Sequence, residues 1–217
     1  MELSTVALTI HKTIQTGSPM SLYLAHRNEF PNLMNLFGIE TAVEVGVGCG
    51  HFASVLLRST SLKTLYLVDN WLNPADAQHR EEARKLAREN LQRVILLEKE
   101  STVAALSFLP QYVDLVYIDT SHFYRDAFRD FRAWFPIARR VFSGHDYSFW
   151  NPAANCPVGV VQAIEELAWE KGLQINVTGC KDSSFESRML MALRASQMAG
   201  GTWGEDIPSF YLFLNRE

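Results

Sequence analysis

The chain is short of cysteine, of excess positive charge and of long apolar runs, and each shortage removes a class of protein. Its three cysteines in 217 residues, Cys49, Cys156 and Cys180, are odd in number and lack the paired spacing of a metal finger. Neither a disulfide framework nor a structural zinc site is expected, and the thiols read as reduced. With 20 Lys and Arg against 24 Asp and Glu, the formal net charge is −4. That balance offers no basic footprint for phosphate neutralisation, so no nucleic-acid partner is expected. No apolar run reaches the ~20 residues that span a bilayer, and the opening MELSTVALTIHKTIQTGSP lacks a charged-then-apolar leader, so the expectation is a cytoplasmic protein without a membrane partner. Internal repeats, low-complexity tracts and linker-like runs are also missing, which leaves a single domain.

What is present is an alternation of strand and helix patterns. Apolar or β-branched runs recur at 41–45 (TAVEV), 63–69 (KTLYLVD), 93–99 (RVILLEK), 113–119 (VDLVYID), 173–178 (LQINVT) and 209–215 (SFYLFLN), and a fifth segment ends in GHDY at 144–147. Continuous rather than alternating apolarity marks strands buried on both faces. Between them, PADAQHREEARKLARENL predicts a helix with Ala83, Leu86, Ala87 and Leu91 on one stripe and a solvated face carrying Arg80, Glu81, Arg84, Lys85 and Arg88. Short crossovers of this kind imply an α/β fold: a doubly wound, mostly parallel sheet with helices on both faces and ligands at the strands' carboxyl ends. A long gap before the last strand predicts an ordered insertion with a helix over 185–198, whose Met189, Leu190, Leu193 and Met198 share a side that is open to a homodimer contact.

The most informative stretch is Thr41 to Gly50, TAVEVGVGCG. It reads as a strand, a turn carrying Gly46, Gly48 and Gly50, and a following helix, and glycine lets such a turn approach a ligand closely. A dinucleotide fold uses GxGxxG instead, and Glu44 at the end of a buried strand would repel a pyrophosphate. The second strand ends in Asp69, followed by Asn70 and Trp71. By themselves these residues could also be a tight turn and a helix cap.

An apolar strand ending in an acid, then GxGxG, then an acid at the end of the next strand resembles the class I S-adenosylmethionine-dependent methyltransferases. The resemblance implies a Rossmann-like sheet of seven strands with an antiparallel last strand. It divides the chain into an N-terminal helical segment (1–38), a cofactor-binding core (39–178) and an insertion before the last strand (179–208). It also implies that Glu44, Gly46, Gly48, Gly50 and Asp69 hold S-adenosylmethionine, with Asn70 beside them, Trp71 against the adenine, and Glu100 and Ser101 at the adenine edge. Ser101 reads equally well as a helix cap.

Further along, IDTSHFYRDAFRDF and SGHDYSFWN place Asp119, His122, His145 and Asp146 at the ends of the fourth and fifth strands, on the glycine-loop rim. The patterns Asp-x-x-His-x-Tyr and Gly-x-His-Asp-Tyr resemble the methyltransferase domain 24-like small-molecule O-methyltransferases, over roughly residues 40 to 170. The resemblance implies a cofactor contact at Asp119 and leaves a divalent metal open at Asp119, Asp146 and His145. Mg²⁺ suits the carboxylates, while His145 also admits Mn²⁺ or Zn²⁺. Without a metal, His122 or His145 is the candidate general base, with Asp119 in support. Tyr124, Phe128, Phe131 and Phe135 read as core at helical spacing, whereas Tyr147, Phe149 and Trp150 read as the wall of an acceptor pocket.

The expected function is methyl transfer from S-adenosylmethionine to a small-molecule hydroxyl. Two alternatives share the cofactor loop: a metal-dependent hydroxylase-like enzyme on the same fold, and a protein that binds S-adenosylmethionine without turnover.

Overall fold

The computed structural model describes residues 22–151, 155–197 and 207–214. The first part of the expected N-terminal helical segment, and Met198 with the rest of 198–206, therefore lie outside the described residues. Strands β1 (Thr41–Val45), β2 (Thr64–Asp69), β3 (Val94–Glu98), β4 (Val113–Ile118) and β5 (Ala138–Gly144) alternate with helices α1 (Phe30–Phe37), α2 (His51–Leu56), α3 (Ala77–Glu89), α4 (Ser101–Ala105) and α5 (Tyr124–Trp134). A short hairpin, β6 (Trp150–Asn151) and β7 (Cys156–Pro157), precedes α6 (Val160–Lys171), β8 (Asn176–Val177), α7 (Phe185–Ser196) and β9 (Phe210–Phe213).

The main sheet has seven strands in the order β3-β2-β1-β4-β5-β9-β8. β3 to β5 run parallel, and β9 is antiparallel to both β5 and β8. The expected Rossmann-like α/β architecture is present, with the strand order reversing between β1 and β4, where such sheets open a crevice at their carboxyl ends. Period-two alternation sends the strand residues to two cores. Val43, Val45, Val116 and Ile118 join Phe131 and Trp134 of α5 and Ile164 and Leu167 of α6. Ala42, Leu115 and Tyr117 join Phe30 and Leu33 of α1, Phe52 and Leu56 of α2, and Ala83 of α3. Among the described residues no helix is long and apolar enough to cross a membrane, and the three cysteines are free.

Several local expectations need correction. The strand expected over 173–178 shortens to Asn176–Val177. Leu91 falls beyond α3 and is exposed, because α3 ends at Glu89 before the apolar stripe completes another turn. In α7 the inward residues are Arg188, Ala192 and Ala195, while Leu190 and Leu193 face outward. Met189 and Met191 pack against the core beside Ala192, and polar bonds attach the helix as well: Arg188 holds Glu165 of α6 with two nitrogens, at 3.1 and 2.9 Å, and also donates to the Ser183 carbonyl.

Candidate active site

Val45 leads into a turn in which Gly46, Gly48 and Gly50 all have positive φ, at 88°, 55° and 86°. Glycine is obligatory at the first of these, since a Cβ on Gly46 would stand 1.9 Å from the Asp119 carbonyl oxygen. The same approach is fixed by Asp119 N–H donating to the Val45 carbonyl at 2.7 Å, which locks the β4 end against the turn. Gly50 caps the start of α2. Asp69 closes the turn from β2: its Oδ2 accepts Val47 N–H at 2.9 Å and Gly48 N–H at 3.0 Å. Its Oδ1 accepts Trp71 N–H at 3.1 Å, and Trp71 Nε1–H donates to the Gly48 carbonyl at 2.9 Å. Trp71 is 7% exposed and packs into the core beneath α2 and α3, so the indole braces the glycine turn. Asn70 accepts Leu72 N–H and so shapes the next turn.

Glu44, on β1, is 2% exposed, and its Oε2 has no hydrogen-bond partner. Burial is the main cause that pushes its carboxyl well above the ordinary range, with Asp119 and Asp69 adding repulsion and Arg27 opposing. Glu100 behaves as a cap, its Oε2 accepting Val103 N–H at 2.9 Å and Thr102 Oγ1–H at 2.7 Å. Ser101 accepts Trp134 Nε1–H at 3.0 Å, so that hydroxyl is tied to α5. Buried Asp130 of the same helix accepts Thr120 Oγ1–H at 2.7 Å and steadies the loop that follows Asp119.

The acid and histidine cluster assembles as expected. Asp146 has φ of 57°, a left-handed backbone that turns its carboxylate back toward both histidines. Its Oδ2 lies 2.7 Å from His122 Nδ1 and its Oδ1 lies 3.1 Å from His145 Nδ1. The His122 Nδ1 meets no hydrogen-bond criterion there, so the contact is a close polar approach rather than a linear hydrogen bond. The Asp146 carboxylate raises the His122 imidazole despite partial burial. Burial alone would lower His145, but Asp146 and Asp119 override it and the net shift is upward. Burial opposes ionisation of Asp146 as well, yet His145 and His122 hold it below the ordinary carboxylate range. Asp119 moves the other way, raised by burial and by Asp146 against the pull of His145.

His145 is buried and its Nε2 lies 3.1 Å from the Ile207 carbonyl. A carbonyl only accepts, so this nitrogen carries the proton and Nδ1 faces the acids. Asp119, His145 and Asp146 each offer a donor atom, all within 4.8 Å of one another. His122 is about one-third exposed at its side chain, beside a recess lined by Asp119, Thr120, Ser121, His145 and Asp146. Gly159 holds the His122 loop by donating its N–H to the His122 carbonyl at 2.7 Å, and a Cβ there would meet Tyr124 N at 2.5 Å.

Tyr147 does not wall an open pocket: it is fully buried and donates to Glu165 Oε1, completing the Arg188 attachment. Phe149 also packs on the core, and Trp150 is exposed. Arg27 was not foreseen. Its guanidinium lies 3.7 Å from Asp119 Oδ2 and 5.3 Å from the centre of the Phe52 ring, with its side chain 11% exposed. The sequence carried no signal for it, because the contact joins an irregular segment to a distant strand end.

The comparisons with known proteins agree with this geometry. Residues 43–147 match the model of a methyltransferase domain family, a stretch running from β1 to the turn after Asp146 that covers just under half of the chain. No curated protein sequence matches. A structure assigned as an O-methyltransferase from Klebsiella pneumoniae superposes with a TM-score of 0.58 at 18% identity, covering 100% of this chain and 92% of its own. An O-methyltransferase from Bacillus cereus in complex with SAH gives 0.56 at 14%, covering 99% and 92%. Spermidine synthase from Thermotoga maritima gives 0.55 at 12% and covers 88% of this chain but 57% of its own, so the likeness is one of fold. The family match is to part of the chain, and at these identities the structural likeness is one of fold.

Proposed function

We propose that the chain transfers a methyl group from S-adenosylmethionine to a hydroxyl of a small-molecule acceptor. The observation that carries this is Glu44: a buried carboxylate with an unpartnered oxygen, at the switch point and on the glycine-turn rim, beside Asp69 and Asp119. An ionised acid in that position calls for a cationic ligand. S-adenosylmethionine brings a sulfonium and an ammonium, and when bound it supplies a reactive methyl group.

The protein's own contribution is placement and proton handling. Gly46, Gly48 and Gly50 keep side chains off the ligand's path, Asp69 Oδ1 retains a lone pair for a ribose hydroxyl, and Asn70 and Glu100 stand on the adenine side, with Trp71 bracing the glycine turn from beneath. Holding donor and acceptor in line supplies most of the acceleration. His122 serves as general base: Asp146 engages Nδ1, leaving Nε2 to take the acceptor proton, a step worth about 10²–10⁴ in rate.

A second reading adds a metal, favoured by the proton placement on His145. With Nε2–H committed to Ile207, Nδ1 is a ligand atom beside two carboxylates, the usual second-shell arrangement around a bound histidine. Asp119, His145 and Asp146 would hold Mg²⁺, Mn²⁺ or Zn²⁺, which would acidify the acceptor hydroxyl.

Calorimetry with S-adenosylhomocysteine and methyl transfer from labelled S-adenosylmethionine to a panel of hydroxyl compounds test the proposal. Asp69→Ala is expected to lose cofactor affinity, whereas His122→Ala keeps it and loses turnover. Equal losses of affinity in both would contradict the division of roles, and full activity after exhaustive chelation would remove the metal.

A further inference from the structure

The acid-rich crevice contains a cation whose position the methyl-transfer reading alone does not explain. Arg27 reaches it from the segment before α1, and that segment is well anchored. Gly179 N–H donates to the Leu24 carbonyl at 2.8 Å, the Tyr211 hydroxyl donates to the Leu22 carbonyl, and Glu29 accepts Ala25 N–H at 2.8 Å. The guanidinium rests over the Phe52 ring, which packs 4.1 Å centre to centre against Tyr117, and it is close enough to the Tyr117 hydroxyl to feel it electrostatically. Tyr117 is the register partner of Glu44 across β1 and β4, and Phe52 sits on the helix that the glycine turn opens. Arg27, Phe52, Tyr117 and Glu44 therefore share one face of the sheet at the switch point.

A guanidinium has five N–H donors. At 3.7 Å from Asp119 it makes an ion pair without a hydrogen bond, so a largely buried cation has donors to spare. Across from it stand Glu44, with an unpartnered oxygen, and Asp119. One cation facing two acids is the complement of an α-amino acid end, in which a carboxylate and an ammonium are attached to one carbon. Asp119 borders both this group and the recess that His145 and Asp146 line, while His122 is held at Asp146.

Resting on the cofactor reading above, we propose that Arg27 is a specificity-determining residue that binds the carboxylate of the cofactor's methionyl end, while Glu44 and Asp119 take its ammonium. The planar fork of arginine suits a carboxylate better than the point charge of lysine does.

Calorimetry with three ligands tests this: S-adenosylhomocysteine, its decarboxylated analogue S-adenosyl-3-thiopropylamine, and 5′-methylthioadenosine, which lacks the amino acid portion. The wild-type protein is expected to prefer S-adenosylhomocysteine over the decarboxylated analogue by about ten- to a hundredfold, the worth of a charge-assisted hydrogen-bonded pair. In Arg27→Gln that preference should fall below about threefold, with 5′-methylthioadenosine bound as in wild type. If Arg27→Gln does not fold, Arg27→Lys supplies the comparison, and a reduced preference is expected there too. An undiminished preference in the folded variants overturns the assignment and directs the carboxylate subsite elsewhere. Failure of the wild-type protein to bind any of the three ligands would instead overturn the cofactor reading on which the assignment rests.

Discussion

Replacing Glu44 with glutamine separates a binding role from a structural one, because the two predict opposite changes in stability. Glu44 is essentially inaccessible, its Oε2 is unpartnered, and burial lifts its carboxyl well above 4.5. A folded state that holds the proton more tightly than the unfolded chain loses stability as pH rises from the unfolded value through the folded one. Below about pH 4.5 both states are protonated and the wild type carries no penalty. Above that point the penalty grows by about 1.4 kcal/mol per pH unit until the folded group ionises. Glu44→Gln removes the titration while keeping the shape. Without ligand it should melt close to wild type at pH 4.5 and higher than wild type at pH 8, by about 2–4 °C for each kcal/mol relieved. The same variant should bind S-adenosylhomocysteine about tenfold more weakly, having lost the acid that meets the ammonium. Thermal melts at the two pH values and calorimetry read both effects. A variant less stable than wild type at pH 8, or shifted equally at both pH values, would refute the claim that this carboxylate is held unsatisfied for a ligand.

Two further substitutions probe the frame around the site. Gly46→Ala forces a Cβ onto the Asp119 carbonyl and a non-glycine residue to φ of 88°, so it should cost more than the ~1–2 kcal/mol of a left-handed residue alone and weaken cofactor binding. An unchanged denaturation midpoint would show that the turn can move away from β4. Arg188→Met removes both bonds to Glu165 and is expected to cost about 1.5–3 kcal/mol in urea unfolding. A loss below about 0.5 kcal/mol would mean that α7 is held by apolar packing instead.

The parallel strands, the glycine turn and the acids at the strand ends were legible because each depends on residues close in sequence: a buried strand is a run of apolar residues, and the rim acid lies at its end. Asp119, His122, His145 and Asp146 were legible for the same reason, since each lies within a few residues of a recognisable strand end. Arg27 was not, because its place depends on packing between segments far apart in the chain. Tyr147 misled for a related reason. An aromatic next to a motif reads as pocket wall, and only the tertiary contact with Glu165 shows that it is a buried anchor. The apolar side expected on α7 misled because Arg188, a residue usually placed outside, is the one turned inward.

These misread residues act on one point. Asp146 carries a left-handed backbone, a conformation that costs a non-glycine residue about 1–2 kcal/mol, and such strain persists only where neighbours over-determine it. The neighbours here come from the chain beyond α6 and from α6 itself. The Ile207 carbonyl fixes the His145 ring, and Tyr147 N–H donates to the Pro208 carbonyl at 2.9 Å. Ser196 accepts Phe149 N–H at 2.9 Å, and Glu165 with Arg188 secures Tyr147. The turn that presents Asp146 to both histidines is thus clamped from both sides by α7 and by the lead-in to β9. The late segment therefore bears on the proton-handling end of the site, whereas the glycine turn, Glu44 and Arg27 are positioned without it, apart from the Gly179 and Tyr211 contacts to the Arg27 segment. Arg188→Met is accordingly expected to lower turnover more than it lowers affinity for S-adenosylhomocysteine.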